Sequence, residues 1–218
     1  MSRESFALII FDCDGVLIDS EPIANRVLAD RLATVGIAMT PEEVMRAFVG
    51  RSRDTCIAMA GEMRGAPLPA DFGAQWDAVF HEALARDVGP VQGVPELLRS
   101  LSIPYCVASN GEPLHMRLGL EAAGLMPFVA GRLFSAAEVE NPKPAPDIYL
   151  HAARKMGFPP ERCAVVEDTP TGVRAGIAAR MAVFAYVGGP QSDASLLESL
   201  GARPFSRMAE LPALLGLS

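Results

Sequence analysis

The sequence predicts an α/β protein in which a parallel sheet is covered by helices on both faces and an all-helical block is inserted after the first strand. Three observations predict it. Short β-rich runs alternate with helical stretches through the second half of the chain. The interval from about Ile18 to Val88 breaks that rhythm and holds no convincing strand. Half of the 218 residues are hydrophobic, enough for a large packed interior and too many for intrinsic disorder.

The first strand is expected at Phe6–Phe11, with Asp12 and Asp14 directly after it. That run is far shorter than the ~20 apolar residues a bilayer span needs, so it is read as neither a membrane segment nor a signal peptide. Later strands are expected at Tyr105–Ala108, Cys163–Val166 and Met181–Val187, with a weaker candidate at Arg132–Phe134. Helices are expected at Glu112–Ala123, Ala145–Met156 and Pro170–Arg180, each opening near proline or a polar cap residue. Strand, helix and strand in that order predict parallel pairing.

The inserted block reads as amphipathic helices over Pro22–Val35, Pro41–Phe48, Asp54–Met63 and Asp71–Arg86, with turns at Gly36, Gly50 and Gly65–Pro69. Its expected hinges are Gly15–Asp19 and Gly89–Gly93, where Gly and Pro cluster. The chain thus divides into a core of residues 1–17 and 90–218 and a helical domain of residues 18–89. No internal repeat or low-complexity tract is present.

Charge excludes some partners. With 19 Lys+Arg against 26 Asp+Glu, the net charge of -7 gives no general footprint for nucleic acid or an anionic membrane. An anionic ligand must be held by a local exception. Cys13, Cys56, Cys106 and Cys163 form no CxxC pair and read as small buried thiols of a reducing, cytoplasmic protein.

Open α/β sheets bind ligands at the carboxyl ends of their strands. There the sequence places Asp12-Cys13-Asp14-Gly15, Ser109-Asn110-Gly111 and Glu167-Asp168-Thr169, while Lys143 lies in the loop Asn141–Pro146. Asp12 and Asp14, two residues apart, can project to the same side of the sheet edge. Asp12, Asp14, Glu167 and Asp168 would repel one another without a cation among them, and hard oxygen ligands suit Mg²⁺. The candidate ligands at these strand ends are carboxylates rather than histidine or thiol, so zinc fits poorly.

A phosphate monoester carries about -1.5 to -2 charges at neutral pH, and a carboxylate approaches it only if that charge is cancelled. Mg²⁺ and Lys143 supply the cancellation, and Ser109, Asn110 and backbone N–H groups can hydrogen-bond the phosphoryl oxygens. Uncatalysed hydrolysis of such esters calls for accelerations of up to ~10²¹, against ~10²–10⁴ from a general acid alone, so several groups must act together. Bland readings exist beside these. Ser109 can cap the helix near Glu112, Lys143 can be a solvated charge, and Gly172 and Gly176 suit close helix-to-strand packing. His81, His115 and His151 fall in helices with no partner pattern and read as surface or half-buried residues.

Taken in order, these elements resemble the haloacid dehalogenase superfamily. The matching stretches are Phe11-Asp-Cys-Asp-Gly-Val-Leu-Ile-Asp-Ser-Glu-Pro22, Val107-Ala-Ser-Asn110, Lys143-Pro-Ala-Pro-Asp-Ile-Tyr149 and Val165-Val-Glu-Asp-Thr-Pro-Thr-Gly172. The resemblance implies a Rossmann-like three-layer core with a mobile helical cap. It implies Asp12 as the nucleophile that forms an aspartyl-phosphate, and Asp14 as acid toward the leaving oxygen and then base toward water. It further implies Mg²⁺ on the Asp12 carboxylate, the Asp14 carbonyl and Asp168, with Glu167 assisting directly or through water. Ser109 and Lys143 would bind the transferring phosphoryl group.

Departures narrow the reaction. Haloacid dehalogenases proper lack the second aspartate and phosphonate-cleaving relatives carry a small apolar residue there, so Asp14 argues for phosphate esters. Mutases resembling beta-phosphoglucomutase have a histidine where this chain has Ala24. Gly50-Arg51-Ser52-Arg53-Asp54 resembles the cap loop that contacts sugar phosphates. Arg53 there is either the binder of a second anionic group or a surface charge at a helix start. The expectation is a Mg²⁺-dependent phosphatase acting as a monomer on a small phosphorylated metabolite, a sugar phosphate or sugar-acid phosphate such as 6-phosphogluconate. A hexose phosphomutase on the same site and a silent binding protein are the alternatives.

Overall fold

The structure, a computed structural model, describes residues 6–48, 51–189 and 192–217. Six parallel strands form one sheet: β1 (Leu8–Phe11), β2 (Tyr105–Ser109), β3 (Leu133–Ser135), β4 (Cys163–Glu167), β5 (Ala182–Tyr186) and β6 (Arg203–Phe205). Their order is β3-β2-β1-β4-β5-β6, so β1 lies between β2 and β4. All of the expected strands form, each shifted by a residue or two at its ends. The sixth was not expected, because Pro204 sits in its middle; a proline that cannot donate is tolerated there because β6 is an edge strand.

Strands buried on both sides read as unbroken apolar runs rather than alternating ones. Leu8 and Ile10 join Cys106, Ala108 and Val165 in a core completed by the helices after β3 and β4. The intervening residues Ile9, Phe11, Val107, Ala164 and Val166 point to the other face and are equally buried. The sheet is thus covered on both faces, as in a Rossmann-like fold.

The α-helices of the described residues, in chain order, are α1 (Glu21–Ala33), α2 (Pro41–Phe48), α3 (Arg53–Arg64), α4 (Phe72–Asp87), α5 (Val94–Ser100), α6 (Pro113–Ala122), α7 (Met126–Val129), α8 (Asp147–Met156), α9 (Pro170–Ala178), α10 (Ala194–Ser199) and α11 (Leu211–Leu214). Short α5 and α7 were not expected; each carries a proline in its first turn that reads as a breaker in sequence but suits a helix start.

The chain separates into two compact units, residues 1–19 with 89–218 and residues 20–88. Ile18, Asp19 and Gly89 count with the sheet unit. The two connecting segments pair there, with Ile18 bridging Pro90 and the Asp19 N–H donating to the Gly89 carbonyl at 3.0 Å. The unit of residues 20–88 is all helical among its described residues and has its own core, including Leu28, Leu32, Val44, Phe48 and Phe72. The turn expected at Gly50 lies outside the described residues.

Two glycines in helices make opposite demands. A Cβ on Gly176 of α9 would lie 2.6 Å from Val183 of β5, so the bare backbone sets how closely this helix lies on the sheet. On Gly61 of α3 the nearest atom would be 3.6 Å away, an ordinary contact. Gly176→Ala is therefore expected to destabilise by about 1–3 kcal/mol through overpacking. Gly61→Ala should stabilise by about 0.5–1 kcal/mol through helix propensity. Urea unfolding of the two variants checks both signs.

Candidate active site

Register brings the polar strand ends together. Phe11 pairs with Val107 on one side and Val166 on the other, so Asp12, one residue on, falls beside the ends of β2 and β4. The Asp12 N–H extends the ladder to the Val166 carbonyl at 2.9 Å. Ser109 is the last residue of β2 and Glu167 the last of β4. Three adjacent strands thus end in a hydroxyl and two carboxylates, with Asp168 next in the chain.

Lys143 arrives from the loop before α8. Its backbone N–H donates to Asn110 Oδ1 at 2.9 Å and its carbonyl accepts from Asn110 Nδ2 at 3.2 Å, so the amide of Asn110 clamps the loop to the end of β2. The Lys143 ammonium then donates to Asp12 Oδ1 and to Glu167 Oε1, each at 2.7 Å, with its side chain only 4% exposed. Burial alone would lower the lysine pKa, but Asp12 and Glu167 outweigh it and hold the pKa above its ordinary value. Lys143 is therefore a buried permanent cation rather than a solvated loop charge.

Glu167 is fully buried and collects five donors. Oε1 accepts from Lys143 and, at 2.7 Å, from the Tyr149 hydroxyl; Oε2 accepts from the N–H groups of Asp168 and Thr169 and from Thr169 Oγ1. Burial pushes its carboxyl up, but Lys143, Tyr149 and Thr169 overcome this and keep it below the usual range. Thr169 also caps α9 by accepting from the Gly172 N–H. A Cβ on Gly172 would run into the Glu167 carboxylate. This glycine is needed for the carboxylate as well as for the packing expected of it.

Asp12, Glu167 and Asp168 each offer an oxygen within 4.8 Å of the others. The donors are hard oxygens, and a Cβ on Gly15, which has φ of +75°, would fall on the Asp168 carboxylate. The glycine leaves room for Asp168, and the residues fit a hard divalent cation such as Mg²⁺. Glu167 within this cluster already accepts from five protein donors. The Asp14 carboxylate lies outside this cluster, so any contact from Asp14 to a metal falls to its main chain.

Asp14 Oδ1 is 2.9 Å from His115 Nε2. His115 was read as a residue without a partner, and that reading is corrected. Its helix begins just beyond the end of β2, so the first turn of α6 faces the same sheet edge as Asp14. Burial lowers the His115 pKa, yet the hydrogen bond and charge of Asp14 more than compensate, leaving it raised. His151 is also more buried than expected, set between Glu138 and Arg154 and edge-on to Phe134. Tyr149 was part of the quoted motif, but only the fold reveals its bond to Glu167.

Ser109 is buried, and its Oγ accepts from the Gly111 N–H at 3.0 Å. It does not cap α6, whose N-cap position is Glu112. Arg53 opens α3 after the N-cap Ser52 and pairs with Asp77 through Nε at 2.9 Å and Nη2 at 2.7 Å. That bidentate bond raises the Arg53 pKa.

A family model described as haloacid dehalogenase-like hydrolase matches residues 6–180. The chain belongs to this family. It is 34% identical over 184 residues to hexitol phosphatase A of Escherichia coli strain K12, covering 81% of each chain. It is 29% identical over 210 residues to 6-phosphogluconate phosphatase of the same organism, covering 94% of this chain and 93% of that one. Among solved structures, a HAD family hydrolase from Deinococcus radiodurans R1 with bound phosphate and sodium matches with a TM-score of 0.84. It is 33% identical, and the match covers 98% of both chains. Within the haloacid dehalogenase-like hydrolases this chain is an enzyme of the phosphoric monoester hydrolase class.

Asp12 has an unusual titration. Burial, opposed by Lys143 and reinforced by Glu167 and Asp14, pushes its carboxyl from 3.8 up to about 7. Between those values the folded chain holds a proton that the unfolded chain has lost, so stability falls as pH rises through that window. With chelator present, the melting temperature should fall between about pH 5 and pH 7, and Asp12→Asn should flatten the slope. An equal slope in the variant would assign it to another group.

Proposed function

We propose that this chain is a Mg²⁺-dependent phosphatase that hydrolyses a small phosphorylated metabolite, a sugar phosphate or sugar-acid phosphate, through an aspartyl-phosphate on Asp12. The observation that carries the reading is the Lys143 ammonium set between Asp12 and Glu167 at 2.7 Å from each. It places a fixed positive charge beside the carboxylate that must approach an anion. Bound Mg²⁺, held by Asp12, Asp168 and the Asp14 carbonyl with Glu167 as anchor, would supply further neutralisation of phosphoryl and carboxylate charge.

In the first half-reaction an Asp12 oxygen bonds to phosphorus as the ester P–O bond breaks, and Asp14 gives its proton to the departing alkoxide. In the second, water attacks phosphorus, its proton passes to Asp14, and the Asp12–phosphorus bond breaks to release phosphate. Lys143 and Ser109 hold the phosphoryl oxygens, with Asn110 fixing the Lys143 loop. We assign the helical unit of residues 20–88 the role of a cap over the site, and Arg53 that of binding a second anionic group on the substrate. The names of the E. coli relatives support sugar-acid and sugar-alcohol phosphates as the first compounds to try. The four free, buried cysteines support a reducing, cytoplasmic setting. Among the described residues no helix is long and apolar enough to cross a membrane. Ala24, where mutases have histidine, supports hydrolysis over mutation of the sugar phosphate.

A screen of phosphorylated metabolites should show stoichiometric phosphate release that EDTA abolishes and Mg²⁺ restores. Asp12→Asn should lose at least about 10³-fold in kcat and yield no acid-stable phosphoryl-protein on rapid quenching. Full activity in EDTA, or a labelled Asp12→Asn protein, overturns the mechanism, and isomerised sugar phosphate dependent on a bisphosphate primer establishes the mutase. Arg53→Ala should raise KM for substrates with a second anionic group and leave other esters unchanged; an equal rise for all esters removes Arg53 from that role.

A further inference from the structure

The geometry points to His115 as the positioning residue for Asp14, holding one carboxylate oxygen so that the other is presented for proton transfer in both half-reactions. The inference rests on the reading of Asp14 as the acid and base.

Asp14 needs such a partner. Its side chain is 32% exposed, and it sits in the turn between β1 and the first connecting segment. General acid catalysis requires the acid's oxygen to lie within about 2.6–3.2 Å of the leaving oxygen, so the orientation of the carboxylate sets how often it is in place. The His115 ring is 2.9 Å from Asp14 Oδ1, across 101 residues of sequence, and its own side chain is 12% exposed.

The imidazole is itself held in place. A Cβ on Gly111 would stand 3.2 Å from His115 Cδ2 and 3.3 Å from Ser109 Oγ, tighter than most such contacts. The bare Gly111 backbone therefore backs the ring, and its N–H donates to Ser109 Oγ. The strand end that supplies the phosphoryl-binding hydroxyl thus also sets the ring that holds Asp14. One rigid turn, Ser109 to His115, couples the two.

An imidazole with a proton on Nε2, neutral or cationic, serves both steps. It donates to Oδ1 when the Asp14 carboxylate is ionised, and equally when Oδ2 carries the catalytic proton. His115 need not change protonation, and no proton passes through it. It touches Asp14 and not the reacting atoms, so its effect is confined to the steps in which Asp14 moves a proton.

That confinement supplies the test. The first half-reaction is read by kcat/KM on two esters. One is 6-phosphogluconate, or the alkyl sugar phosphate turned over fastest in the screen, whose alkoxide must be protonated as it leaves. The other is 4-nitrophenyl phosphate, whose phenolate leaves without a proton. In His115→Ala, kcat/KM should fall about tenfold or more on the alkyl ester and less than about threefold on the aryl ester. His115→Gln, which keeps an N–H at a similar reach, should recover most of the loss. A general structural role would lower both esters alike, and that result, or no loss on either, overturns the inference. Asp14→Asn run beside it separates the two readings. If Asp14→Asn discriminates between the esters and His115→Ala does not, only the role of His115 fails. If Asp14→Asn does not discriminate, Asp14 is not the acid and both fail.

Discussion

The site depends on one buried ammonium shared by two carboxylates. Taking charges out of water costs several kcal/mol for each ion even after relaxation, and replacing buried ion pairs by apolar side chains is often neutral or stabilising. Lys143, Asp12 and Glu167 are therefore poorly explained as a device for stability. The three are also unequal. Glu167 gathers five donors and is held ionised, whereas Asp12 shares Lys143 and is pushed up to about 7. One carboxylate is a fixed counter-ion, which leaves the other as a group whose ionisation an added cation would favour.

That inequality is built from the backbone outward. With β1 between β2 and β4, three consecutive strand ends meet without any long loop having to reach inward. Long-range chain is needed only for Lys143, and the Asn110 amide fixes that loop through its main chain, leaving the lysine side chain to extend to its two carboxylates. Glycine appears where a carboxylate needs space: Gly15 against Asp168 and Gly172 against Glu167. A methyl group at either position would displace an acidic side chain, and at Gly15 the positive φ of +75° is a second demand for glycine.

The legible parts of the chain were those whose signal is local. Apolar runs gave the central strands because burial on both faces leaves no alternation to misread; Asp12, Ser109, Glu167 and Asp168 stood out because open α/β sheets bind ligands at their strand ends, and Lys143 as the cation of the loop before a helix. What stayed hidden needed contact information. Pro204 disguised an edge strand, and prolines in first turns disguised α5 and α7. His115 looked like any helical histidine because its partner is 101 residues away; the available clue was its place in the first turn after a functional strand end. For Arg53, both readings were open, and the bond to Asp77 shows how the guanidinium is oriented within its own unit.

The pair Asp12 and Asp14 illustrates why two carboxylates two residues apart can do different work. Proton transfer and nucleophilic attack need different environments, and enzymes obtain both from one residue type by separating the surroundings. Here β1 ends at Phe11 and the chain turns, so that Asp12 is set inward on Lys143, with its side chain 11% exposed, while Asp14 stays nearer solvent on His115 at 32%. Under the proposed mechanism the inner group is kept dry for attack on phosphorus while the outer one exchanges protons with water between half-reactions. The separation arises from where one strand ends, since the Asp12 N–H still extends the sheet ladder to Val166 whereas Asp14 bridges Ile18 in the turn beyond it.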